Sequence, residues 1–159
     1  MSRVASFMAA LVMLLSATTG VRAAVSSPAF AAVDSVQSRA FFSDTNATRS
    51  ALGLPALSDD PQLDRLAAQL AQQMVTQGYF GHTDPAGVTF EQRIRAAGIR
   101  YSYAAENIAT ADDAAQAQDA LVHSPEHYAN IVDRNVHKLG TAAVAGPDGA
   151  IYFVQDFAD

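Results

Sequence analysis

From Asp60 to Gly78 the chain spells out one amphipathic helix with both ends marked. Asp60 can cap the first turn, and Pro61 stands at the first helical position, where its missing N–H costs nothing. Leu63, Leu66, Ala67, Leu70 and Met74 recur at helical spacing and make a single apolar face. Gly78 supplies the stop. A helix that is apolar on one side must bury that side against another layer. The end of the chain provides one. Residues 139–144 alternate in part, Gly146-Pro147-Asp148-Gly149 is a hairpin signal, and residues 151–157 read as the returning strand. Helices surrounding a small, mainly antiparallel sheet predict an α+β domain.

Local signals place the remaining elements. Residues 34–52 read as a helix carrying Phe41 and Phe42, with Gly53 as its stop. Within it, Asp44-Thr45-Asn46 competes with the helix backbone for hydrogen bonds. Residues 54–57 run extended. Thr89-Phe90-Glu91-Gln92 is a capping box opening a short helix that Gly98 closes. Residues 101–109 read as extended. Thr110 with Asp113 opens another helix through Val122, and Ser124-Pro125 opens one more, with Ser124 as its cap.

The first residues have a different purpose. Arg3 is followed by an apolar run over residues 4–15 and then by small residues up to Ala23. That is the layout of a secretory signal peptide. The expected organisation is a signal peptide at 1–23, a flexible leader at 24–37 and one folded domain at 38–159. The apolar run falls short of the roughly 20 residues a membrane span needs, so no stable span is expected after cleavage. Cleavage removes Arg3 and Arg22, which takes Lys+Arg from 10 to 8 against 16 Asp+Glu. Such an acidic chain lacks the basic contacts that nucleic acid requires, and it has no electrostatic attraction to anionic lipid. With no cysteine, there is neither a disulfide framework nor a thiol nucleophile or metal ligand. A monomeric, secreted protein is expected.

Three titratable residues stand out in apolar or turn-like settings: His82, Glu106 and His127. They lie 24 and 21 residues apart, so only a tertiary fold can join them. Two imidazoles and a carboxylate suit a divalent metal such as zinc. The same three could do acid–base work near neutral pH. His127 falls in the first turn of its helix, where the positive end disfavours a charged ring. Ser124 beside His127 has the look of a nucleophile pair, but a helix cap accounts for it without catalysis. Neither Gly-x-Ser-x-Gly nor His-Glu-x-x-His occurs. No organic cofactor is indicated.

The words around these residues add up to a family. Residues 45–55, Gly78-Tyr79-Phe80-Gly81-His82-Thr83-Asp84-Pro85, Ala105-Glu106-Asn107-Ile108, Ser124-Pro125-Glu126-His127-Tyr128-Ala129-Asn130-Ile131 and Val154-Gln155-Asp156-Phe157 follow one another in order. Together they resemble the CAP (SCP-like) domain of bacterial secreted proteins. The resemblance implies a three-layer α-β-α sandwich with an open cleft lined by two His and two Glu. His82, Glu106 and His127 match three of those positions, and Ser124 stands at the fourth. It thus implies a metal set of His82, Glu106 and His127, and a ligand cleft to which Ser124 contributes. Three readings follow: a secreted binding module for a metal or a small apolar, lipid or cell-envelope ligand; a secreted hydrolase using the same cleft; and a structural or adhesion protein of the cell envelope.

Overall fold

The structure, a computed structural model, describes residues 31–159. The expected signal peptide and residues 24–30 of the expected leader lie outside it. Five helices and four strands follow: α1 (Ser35–Ala51), β1 (Ser58–Asp59), α2 (Pro61–Gln77), α3 (Phe90–Ala96), β2 (Ala104–Ala111), α4 (Ala114–Val122), α5 (Pro125–Val132), β3 (Lys138–Ala145) and β4 (Ile151–Ala158). The strands form one sheet in the order β1-β3-β4-β2. β1 runs parallel to β3, and the two longer pairings are antiparallel. The fold is α+β, as the sequence predicts.

Strand alternation sorts the helices into two layers. Ile108, Ala142, Val144 and Val154 pack with Ala67, Leu70, Ala71 and Met74 of α2. Ile94 of α3 joins Leu63, Leu66 and Ala158 on that side. The neighbouring residues of the same strands, among them Ala109, Ala143, Phe153 and Phe157, face Phe41, Ala117, Leu121 and Ile131 of α1, α4 and α5. Successive side chains on a strand point to opposite faces, so the sheet is sandwiched. β2 stands at one end of the strand order, an edge strand that pairs only with β4.

Helix ends largely obey their local signals. Asp60 accepts from the amides of Gln62 and Leu63, and Gly78 closes α2 in the left-handed conformation at φ 68. The capping box of Thr89 and Gln92 is present. α1 begins at Ser35 with Asp34 as its cap, in line with the helix read over residues 34–52. The competing cluster does not interrupt α1: Thr45 and Asn46 place their side-chain hydrogen bonds where the helical amides are left free. The Thr45 hydroxyl donates to the Phe41 carbonyl one turn back, and Asn46 exchanges two hydrogen bonds with the backbone of Leu57. Thr110 opens no helix: it pairs with Tyr152 inside the β2–β4 ladder, and Asp113 alone caps α4 through the Gln116 amide.

Arg49 fixes the far end of α5. Its guanidinium is 1% exposed and donates to the carbonyls of Pro55, Ile131 and Asp133. Burial lowers its pKa, a trend that the Asp133 charge opposes. On the opposite sheet edge, the β3 amides of Thr141 and Ala143 are satisfied by the side chains of Asp64 and Ser38 instead of a strand. That blunts an edge that would otherwise invite pairing. Beside it a cavity of about 650 Å³ opens between α1 and α2, with Phe42 and Asp64 among its lining residues.

Candidate functional site

The cavity between α1 and α2 is not where the motif residues are. His82, Glu106, Ser124 and His127 gather instead around the free edge of β2. Alternation turns Glu106 towards α2 and α3, and turns Asn107 towards α4 and α5. Each grips a histidine-bearing segment. Glu106 Oε1 accepts from His82 Nδ1 at 2.9 Å. Asn107 Nδ2 donates to the His127 carbonyl at 3.0 Å. Behind Asn107, Asn130 and Gln155 extend a bonded amide network into the core. Two adjacent residues of one edge strand thus hold the two histidine segments, one from each layer.

Glu106 has a second partner that the sequence reading did not single out. Arg93 Nη2 donates to Oε1 at 2.9 Å and to Oε2 at 2.7 Å. Both side chains are buried, 7% and 2% exposed. The expected three-ligand zinc set is therefore not assembled: among the described residues no three His, Cys, Asp or Glu side chains are arranged to hold a metal. The reason is local. Glu106's oxygens already face a guanidinium and a ring N–H, which makes it a group that orients His82.

Ser124 departs from expectation as well. It occupies the N-cap position of α5, yet its side chain makes no capping hydrogen bond. Its hydroxyl lies 2.7 Å from His127 Nδ1. A hydroxyl committed to the ring three residues on is not directed at the helix amides. His127 itself is half-buried, and its pKa is lowered: burial is the main cause, the nearby His82 charge adds to it, and Glu126 opposes it. A neutral His127 was expected from the helix end; burial is the leading cause found.

Several buried polar atoms in this region meet no hydrogen-bond donor or acceptor of the ordinary kind among the described residues: the Tyr79 hydroxyl, Arg93 Nε and the Asp156 carboxyl oxygens. Asp156 sits directly opposite Glu106 in the β2–β4 ladder and is 0% exposed, and when protonated it can donate to the Glu106 carboxylate. Burial, then the Glu106 charge, raises its pKa well above the ordinary value of 3.8. The folded state therefore holds a proton that the unfolded chain releases above about pH 4. Stability contributed by this group is intact below the unfolded value and falls as pH rises towards the folded one. Asp64, raised to about 6 by burial, adds a loss of the same sign. Asp156→Asn keeps the shape and removes the titration. It is expected to be more stable than the parent at pH 7–8 and to show a flatter stability–pH curve. Denaturant unfolding between pH 5 and 8 checks this; parallel curves for parent and variant would show that Asp156 is ordinary.

With this geometry in hand, the relatives are informative. A family model described as "CAP: Cysteine-rich secretory protein family" matches residues 42–157. The chain belongs to the CAP family. It does so without the cysteines of the family's description, having none. It is 33% identical over 113 residues to the uncharacterized protein YkwD of Bacillus subtilis, covering 70% of this chain and 43% of YkwD. This CAP chain therefore spans less than half the length of that curated relative. Its fold matches a crystal structure of an extracellular SCP-domain protein from Bacillus anthracis with a TM-score of 0.70 at 27% identity, over 77% of this chain and 40% of that one. It also matches an outer surface protein of Borrelia burgdorferi with a TM-score of 0.74 at 21% identity, over 81% and 98% of the two chains. Among the described residues no helix is long and apolar enough to cross a membrane.

Proposed function

We propose that this CAP domain works outside the cell as a binding module, and that its binding element is a two-histidine site at the β2 edge. One observation carries the reading. Both imidazoles are held at Nδ1, His82 by Glu106 and His127 by Ser124, and among the described residues neither Nε2 has a hydrogen-bond partner. A carboxylate can only accept, so Glu106 makes His82 Nδ1 the donor and leaves the lone pair on Nε2. A carboxylate behind a histidine is how metal-binding imidazoles are oriented and made more basic. On this reading a divalent metal would be held by His82 and His127, with Glu106 and Ser124 behind them as Nδ1 partners. When bound, such a metal would supply open coordination positions to a ligand. The charge-depleting environment of His127 keeps its nitrogen available below the ordinary histidine range.

Zinc calorimetry on the parent and on His82→Ala and His127→Ala tests the site. The parent is expected to bind one ion. Each variant should bind at least about tenfold more weakly, the scale seen when a supporting group alone is lost. Binding should weaken as pH drops into the acidic range, because protons compete for the same nitrogens. Three identical isotherms would remove the site from consideration.

A further inference from the structure

Arg93 is committed to more than the Glu106 carboxylate. Its Nη1 donates to the His82 carbonyl at 2.9 Å and to the Val88 carbonyl at 3.3 Å. The loop between α2 and α3 that carries His82 is closed on itself by Asp84, whose carboxylate accepts from the amides of Ala86 and Val88 and whose own amide donates to the Val88 carbonyl. Among the described residues, loop 80–88 makes hydrogen bonds beyond itself only through the His82 ring and through Arg93. The ring bond in turn ends on an oxygen that Arg93 also holds. Both attachments therefore converge on one guanidinium.

We infer that Arg93 is the positioning residue of the site: it fixes the backbone of His82, the far end of its loop and the carboxylate that sets its ring, all from one buried fork on α3. The inference rests on the two-histidine reading for its effect on metal, but not for its effect on the ring. Arginine is suited to this and lysine is not. The planar fork presents several donors in fixed directions, whereas an ammonium is a single charge centre that cannot span the carboxylate and two carbonyls in the same way. Lysine nonetheless keeps a positive charge beside Glu106, so the carboxylate is not left alone in the interior.

Arg93→Lys is thus the separating variant, and Arg93→Gln/Glu106→Gln, read against Glu106→Gln alone, is its neutral counterpart, burying no charge should the lysine variant fold poorly. The two measurements are ring 15N spectra of the histidines and zinc calorimetry. In the parent, His82 is expected to show one tautomer, with its two ring nitrogens well separated in shift. In the variants the two shifts should move towards each other and the amides of loop 80–88 should broaden, while the His127 ring signals stay in place. Zinc affinity should fall at least about tenfold in Arg93→Lys, a loss typical of removed supporting groups. Unchanged His82 ring shifts in both variants would overturn the inference. If the parent binds zinc no better than His82→Ala, the metal reading fails by itself, and the ring spectra still decide the role of Arg93.

Discussion

Gly140→Ala is expected to take away most of the domain's stability. Gly140 lies in β3, directly opposite Asp156 of β4 and beneath the start of α2. A Cβ built there would sit 2.1 Å from the Leu63 carbonyl carbon and 2.3 Å from the Asp64 amide nitrogen. Those atoms are backbone, so no rotamer change can make room. The helix would have to lift from the sheet, and with it Leu63, Leu66 and Leu70, all at most 2% exposed. Overpacking with rearrangeable side chains costs about 1–3 kcal/mol. Here the obstacle is a helix backbone, and the expected cost is about 4 kcal/mol or more, most of the stability of a marginal domain. Circular dichroism with denaturant unfolding measures it. A variant that melts within a few degrees of the parent would mean that α2 can move away from β3 cheaply.

Glu106→Ala should be the most damaging change at the site itself. It strips Arg93 of both carboxylate contacts and leaves a guanidinium 7% exposed with only two carbonyls to face. Breaking one side of a buried pair typically costs about 3–5 kcal/mol, because the remaining charge stays desolvated. Part of that is offset at Asp156, since the Glu106 charge is the second cause of its raised pKa. That offset is absent in an Asp156→Asn background, so the loss there should be larger than independent effects would give, a coupling that a double-mutant cycle reads directly. Glu106→Gln, which keeps an acceptor for His82, should lose less. Equal stability of Glu106→Ala and the parent would mean that Arg93 finds another counter-charge.

These two residues differ in how visible they are before folding. Glu106 could be chosen from the sequence because a lone carboxylate stood in an apolar segment. Asp156 carried a related signal, a charge in a mainly apolar strand beside Gln155, and its alternation with Val154 already set its face. Arg93 carried none. It stands next to Ile94 in a short helix with a charged exterior, and nothing in the local pattern separates an inward arginine from a solvated one. Gly140 was also silent, since a glycine in a strand marks a close approach without saying what approaches.

What the sequence determined by itself is local: the ends of α2 at Asp60 and Gly78, the capping box at Thr89, the terminal hairpin, and the three residues His82, Glu106 and His127. Each of these follows from side-chain chemistry acting within a few residues or from a periodicity along one element. The tertiary structure decided the rest. It put β2 at the sheet edge, so that Glu106 and Asn107, adjacent in sequence, reach histidines from opposite layers. It brought Arg93 against both oxygens of Glu106, and turned the Ser124 hydroxyl from a cap into a partner for His127. A donor or acceptor bonds whatever the packed chain brings within reach, and for these groups the deciding neighbours came from other elements or from the folded path of their own.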